Sequence, residues 1–122
     1  MEQSKSFEDV PVWQKAHQFV LSIYEKTKFC PKEELCGLTS QFRRASASIG
    51  ANISEGYKKN STRDKLWFFN IVQGVLEEYS YYFILTEDLN YVEDIKSQNE
   101  SLIEVSKLSK AYSRFLLNSL NS

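Results

Sequence analysis

The sequence predicts an all-α protein, an antiparallel up-down-up-down four-helix bundle. Three observations carry this expectation. Apolar residues recur at steps of three and four in four separate stretches, the pattern of amphipathic helices. No stretch alternates apolar and polar residues with the period of two that a half-buried strand requires. Four glycines and two prolines in 122 residues are too few for the turn-rich connections of an all-β fold. The breaks between the four stretches are short, which makes successive helices antiparallel neighbours.

The first helix is expected over about residues 11–30, with Val12, Trp13, Ala16, Phe19, Val20, Ile23 and Tyr24 at helical spacing. Asp9 and Pro11 suit its first turn, and Pro31 stops it. The second covers about residues 35–56, on Leu38, Phe42, Ala45, Ile49 and Ile53, with Gly56 placed to end it. Asn60 and Ser61 break the chain, and Ser61 with Asp64 resembles a capping box. The third helix, about residues 62–89, spans roughly 42 Å at 1.5 Å per residue, and Asn90 is a left-handed stop. The fourth, about residues 93–120, carries Leu102, Val105, Leu108, Tyr112, Phe115 and Leu116 behind a polar first half. One domain over residues 1–122 accommodates all four.

One apolar stripe per helix is enough for a bundle that stands alone. The third helix has two. Phe68, Val72, Val75, Leu76, Tyr79 and Phe83 form one, while Trp67, Ile71, Gly74, Leu85 and Leu89 fall along another, about 100° away. Tyr81 and Tyr82 widen the arc. Such breadth fits either the most central helix of one subunit or a face that closes against a second copy, and Trp67, Ile71, Gly74, Tyr81 and Leu85 are the interface candidates. On the second helix, Ala45, Ser46, Ala47, Ser48 and Ala51 leave little side chain beside the backbone. A polar seam of Gln41, Arg44, Ser48, Asn52 and Glu55 flanks its apolar stripe. The seam is either a solvated face or a hydrogen-bonded contact in which Arg44 and Glu55 pair with neighbouring helices. Three turns separate those two residues, so they do not pair with each other within one helix. Self-association is the expectation carried forward.

No apolar run approaches the roughly 20 residues of a membrane span, and "MEQSKSFEDVPVW" lacks the apolar core of a signal peptide. The expectation is a cytoplasmic protein with no membrane partner. Cys30 and Cys36 lack the CxxC spacing of a redox or zinc site and are expected as free thiols. The net charge is −1, which argues against a surface that grips nucleic acid everywhere. The charge is unevenly spread: Gly37 to Leu76 holds six Lys or Arg against two acids, and Glu77 to Val105 holds eight acids against one lysine. Arg43, Arg44, Lys58, Lys59, Arg63 and Lys65 are therefore the candidate nucleic-acid-binding cations, with Trp67 and Tyr57 near enough in sequence to stack on unpaired bases. Their other reading is a solvated helix end and loop.

Little points to catalysis. His17 is the only histidine, so no histidine-rich metal site exists. There is no Glu-x-x-His pair, no G-x-G-x-x-G and no phosphate-binding loop. The serines of "ASASIG" have no histidine base near in sequence. The adjacent acids Glu77–Glu78 and Glu87–Asp88 point about 100° apart on a helix and read as solvated surface. The expectation is a protein that is not an enzyme and carries no cofactor or metal.

Three stretches together resemble a known family: "VWQKAHQFVLSIYEKT", "CPKEELCGLTSQFRRASASIGANISEGY" and "DKLWFFNIVQGVLEEY". They are similar to the four-helix bundle proteins encoded within intervening sequences of bacterial 23S ribosomal RNA genes. The resemblance runs from about Phe7 to Tyr91 and is densest on the second helix, at Leu38, Thr39, Ser40, Gln41, Arg43, Arg44, Asn52, Ile53, Glu55 and Gly56. It implies an antiparallel bundle that assembles as a homopentamer. A related accessory protein of diversity-generating retroelements forms a pentameric barrel whose basic surface engages nucleic acid and a reverse transcriptase, which implies RNA, DNA or a nucleoprotein as the partner of this chain. Relatives often have proline where this chain has Gly50, and the retroelement relative is strongly basic where this chain is mildly acidic.

Overall fold

A computed structural model describes residues 6–28, 34–90 and 95–121, with residues 34–38 and 121 described in backbone alone. A short 3-10 turn, Phe7–Asp9, leads into α1 (Pro11–Lys26), α2 (Glu34–Lys58), α3 (Thr62–Asp88) and α4 (Lys96–Asn121). The protein is all-α, with four long helices and no strand among the described residues.

The helix ends follow local chemistry. Pro11 stands in the first turn of α1, where its missing N–H costs nothing. Ser61 caps α3, its hydroxyl accepting from the Asp64 N–H at 3.1 Å, which satisfies one of the helix's orphan donors. Asn90 adopts φ 57° immediately after α3, the left-handed stop its short polar side chain tolerates. Gly56 departs from expectation. α2 runs through it to Lys58, because the glycine serves close helix approach rather than termination. A Cβ built there would lie 2.9 Å from the Phe68 Cβ on α3. Pro31 and Cys30 lie outside the described residues, as does the side chain of Cys36.

The buried residues of α3 are Phe69, Val72, Leu76, Tyr79, Phe83 and Thr86, alternating steps of three and four as in a coiled-coil seam. The register is one residue from the expected stripe at its start. Phe69 is buried, and Phe68 is half-buried over Gly56. On α2, Phe42, Ala45, Ser46, Ile49 and Ile53 are buried, so Ala45 and Ser46 belong to the core rather than to the small outer face. On α4, Leu102, Val105 and Leu116 are buried, whereas Phe115 is 56% exposed. It follows Tyr112 by only three residues but falls on the flank, where their rings meet edge to face.

α1 packs against α2 and α4, and α3 packs against the same two. The diagonal pair meets through side chains. Phe19 on α1 puts its ring edge-on to Tyr79, 5.0 Å away, and 6.4 Å from Phe83. Phe42 on α2 joins the same cluster. Such aromatic pairs add roughly 0.5–1.5 kcal/mol each beyond area burial. Early α2 meets late α3 (Gln41 with Tyr82) and late α2 meets early α3 (Gly56 with Phe68). Likewise Phe69 meets Tyr112 and Gln73 meets Ser106 across α3 and α4. These pairings are compatible with antiparallel neighbours.

Candidate interaction surfaces

The six candidate cations occupy two places. Arg43 and Arg44 stand on the first half of α2. Lys58, Lys59, Arg63 and Lys65 stand around the turn from α2 to α3. Fourteen residues separate Arg44 from Lys58, about 21 Å along the helix. Three of the six have duties inside the subunit. Arg43 Nε donates to Thr27 Oγ1 at 2.9 Å, its second nitrogen reaches the Tyr24 carbonyl at 3.3 Å, and its guanidinium lies 4.8 Å from the centre of the Tyr24 ring. It closes the carboxyl end of α1, where orphan carbonyls need donors. Lys65 Nζ does the same for α2, donating to the Tyr57 carbonyl at 2.5 Å and to that of Gly56 at 3.5 Å. Partial burial pulls its ammonium below the usual lysine range. Lys59 pairs with Glu55 at 3.7 Å and sits over the Phe68 ring. Arg44, Lys58 and Arg63 make no ion pair or hydrogen bond among the described residues; Arg44, Lys58 and Arg63 are exposed.

The polar seam is also resolved into individual contacts. Gln41 Nε2 donates to Tyr82 Oη at 3.2 Å, and Tyr82 in turn donates to Glu78 at 2.7 Å. That bond to Glu78 is the first cause pushing the Tyr82 phenol up. Asn52 turns back onto Ser48, donating to its carbonyl at 2.8 Å and its hydroxyl at 3.0 Å. Arg44 and Glu55 both face outward. Between them Ala47 and Ala51 are exposed and Ser48 half-buried, leaving a shallow strip on which another backbone could lie close.

Beside that strip runs the second stripe of α3. Trp67 and Tyr81 are 64% and 58% exposed, Ile71 and Leu85 are half-buried, and Gly74 has nothing within 4 Å of where a Cβ would stand. With Glu78, these positions again alternate steps of four and three. The helix thus carries two coiled-coil-like stripes, one enclosed by its own bundle and one open.

A further set of cations escaped the sequence reading. Lys107, Lys110 and Arg114 stand on the outer face of α4 at steps of three and four, all exposed. Interleaved serines keep them from forming a basic run, so helical spacing was the only signal. They run beside an open groove between α3 and α4. Its wider part, a cavity of about 560 Å³, has Trp67 and Arg63 on the α3 side and Leu117 and Leu120 on the α4 side. Its continuation is lined by Glu77, Ile103, Lys107 and Lys110 among others.

His17 is exposed and stacks on Trp13, with ring centres 4.9 Å apart. Among the described residues, no group of three or more His, Cys, Asp or Glu side chains is placed to hold a metal ion. No helix among them is long and apolar enough to cross a membrane.

Among curated proteins, none matches this sequence. The family described as 23S rRNA-intervening sequence protein matches residues 8–112. That span takes in α1, α2, α3 and most of α4, so the agreement covers the bundle and not a single helix. By this match the chain belongs to the 23S rRNA-intervening sequence protein family.

Proposed function

We propose that the protein is a non-enzymatic, homo-oligomeric scaffold, an antiparallel up-down-up-down bundle whose open α3 stripe packs against another copy. The observation that carries this reading is the exposure of Tyr81 on the same stripe as Ile71, Gly74 and Leu85, with Trp67 at the stripe's amino end, where it opens onto the groove between α3 and α4. Apolar side chains at heptad spacing on a face no neighbour covers are disfavoured in water and stabilised by a matching helix. The residue pairings between α2 and α3 and between α3 and α4 support the topology. Five copies is the number the family resemblance implies. In such a ring Lys58 and Arg63 repeat around the axis, and the repeated charge attracts RNA, DNA or a nucleoprotein more strongly than one chain of net charge −1 does. The setting we propose is cytoplasmic.

Light scattering on the purified chain tests the assembly, and titration with RNA at low and high salt tests the nucleic-acid half. Binding that survives Lys58→Glu with Lys59→Glu unchanged, or that ignores salt, removes the turn cations from the function. A second reading, a scaffold for protein partners alone, is favoured by one observation: Arg43, Lys59 and Lys65 already have partners in their own subunit. In that reading acids such as the exposed Glu87 and Asp88 meet a basic partner, and Glu87→Lys with Asp88→Lys abolishes the capture.

A further inference from the structure

We infer that the groove between α3 and α4 binds single-stranded nucleic acid, with a base against Trp67 and the phosphates along Lys107, Lys110 and Arg114. The inference rests on the nucleic-acid half of the reading above. It moves the contact from the α2–α3 turn to the groove and names the form of the ligand.

Among the described residues Trp67 is the most exposed of the large apolar side chains, at 64%, so its indole is spare for the subunit's own fold. It walls a cavity of about 560 Å³, within the range of about 300–1,000 Å³ that ligand sites occupy. Leu117 and Leu120 supply an apolar side across from it, and Asn70 and Ser113 place an amide and a hydroxyl on the rim. An aromatic face, an apolar slot and a few uncommitted polar groups suit a flat heterocycle with hydrogen-bonding edges.

The charge suits the same ligand. Arg63 lies one turn before Trp67 and lines the cavity with it. Lys107 and Lys110 line the continuation of the groove, where Glu77 is the acid beside them. Arg114 extends the row, and none of Arg63, Lys107, Lys110 and Arg114 makes an ion pair or hydrogen bond among the described residues. Along α4 the three cations are spaced by roughly 4.5 and 6 Å, a row that can follow the phosphates of one extended strand. Stacking requires an unpaired base, since a duplex hides its base faces, and a stacked base is sequence-tolerant. The predicted ligand is therefore a single strand with weak sequence preference.

The test uses the full chain with Trp13→Phe, which leaves Trp67 as the sole tryptophan of the two. A short RNA of mixed sequence and its duplex are titrated at low salt, following Trp67 fluorescence and, separately, bound RNA. The single strand should quench Trp67 and the duplex should not. Trp67→Ala, with the chain otherwise unchanged, should weaken single-strand binding about tenfold or more. Lys107→Glu, Lys110→Glu and Arg114→Glu together should weaken it more and flatten its salt dependence. Light scattering and thermal melts of each variant should match the unaltered chain. Equal affinity for duplex overturns the inference. So does binding lost with Lys58→Glu and Lys59→Glu but kept in the groove variants, a result that leaves the broader nucleic-acid reading standing. Groove variants that change the particle mass and not RNA binding make the groove a contact between copies and overturn it too. An unaltered chain that binds neither RNA fails the broader reading along with the inference.

Discussion

Gly56 on α2 faces Phe68 on α3 so closely that a Cβ at position 56 would lie 2.9 Å from the Phe68 Cβ. The Phe68 Cβ is fixed to its backbone and has no rotamer by which to withdraw, so the two helices must part to admit a methyl group. Overpacking of this kind costs about 1–3 kcal/mol, while alanine's better helix propensity returns up to about 1 kcal/mol. Gly56→Ala is expected to destabilise the subunit by about 1–2 kcal/mol, read as a lower urea midpoint at unchanged m-value.

The hydroxyl of Tyr79 donates to the Phe42 carbonyl in the middle of the core. Burial is the first cause that pushes this phenol well above its ordinary value of 10.0. In the unfolded chain the group deprotonates near 10, while in the folded chain it stays neutral. Its contribution is therefore fully present below pH 10 and is lost as pH rises above that value. Tyr79→Phe is expected to lose about 1 kcal/mol at neutral pH, the net worth of one hydrogen bond. The stability of the unaltered chain should fall more steeply between pH 10 and 11 than that of the variant. Parallel slopes in chemical denaturation at those pH values would contradict this account.

Arg43 makes two hydrogen bonds and a cation–ring contact at the end of α1. Lysine can reproduce neither the fork nor the stacking. Arg43→Lys is expected to destabilise by about 1–2 kcal/mol, as hydrogen bonds to a charged group do, with faster amide exchange around Thr27. Because this residue serves the fold, RNA affinity should change little once the variant is folded.

The helix framework was legible because three- and four-residue spacing is a local signal. Ser61 and Asn90 read correctly for the same reason: a cap and a left-handed stop depend on one side chain and its nearest backbone. The register of α3 was less legible. Phe68 and Phe69 are adjacent, both apolar, and only about 100° apart, so periodicity alone cannot say which one enters the core. Contact with Gly56 decides it, and that is tertiary. Gly56 misled as a helix stop for a related reason, since a glycine at a helix crossing and one at a helix end look alike in sequence. The six cations read as one cluster because they are near in sequence. On a straight helix Arg44 and Lys58 are kept apart by rise alone, and α1 claims Arg43 through carbonyls that no sequence pattern announces. Lys107, Lys110 and Arg114 show the converse: side chains far enough apart to escape notice in the sequence lie on one face of α4.

Gly74 offers a clean separation of fold from assembly. Nothing in the subunit lies within 4 Å of its missing Cβ, so a side chain there meets only what packs on the open stripe. Gly74→Arg should raise the stability of the isolated helix by up to about 1 kcal/mol and yet break the contact between copies. The expected result is a well-folded particle of lower mass by light scattering. A variant of unchanged mass would place the interface elsewhere.

The most direct measurement is the mass of the unaltered chain in solution at micromolar concentration. A subunit of 14.2 kDa whose α3 stripe is covered by its own copies predicts a multiple of that mass, about 71 kDa for five (five times 14.2 kDa). A particle of 14.2 kDa, with Tyr81 left in water, would contradict the account.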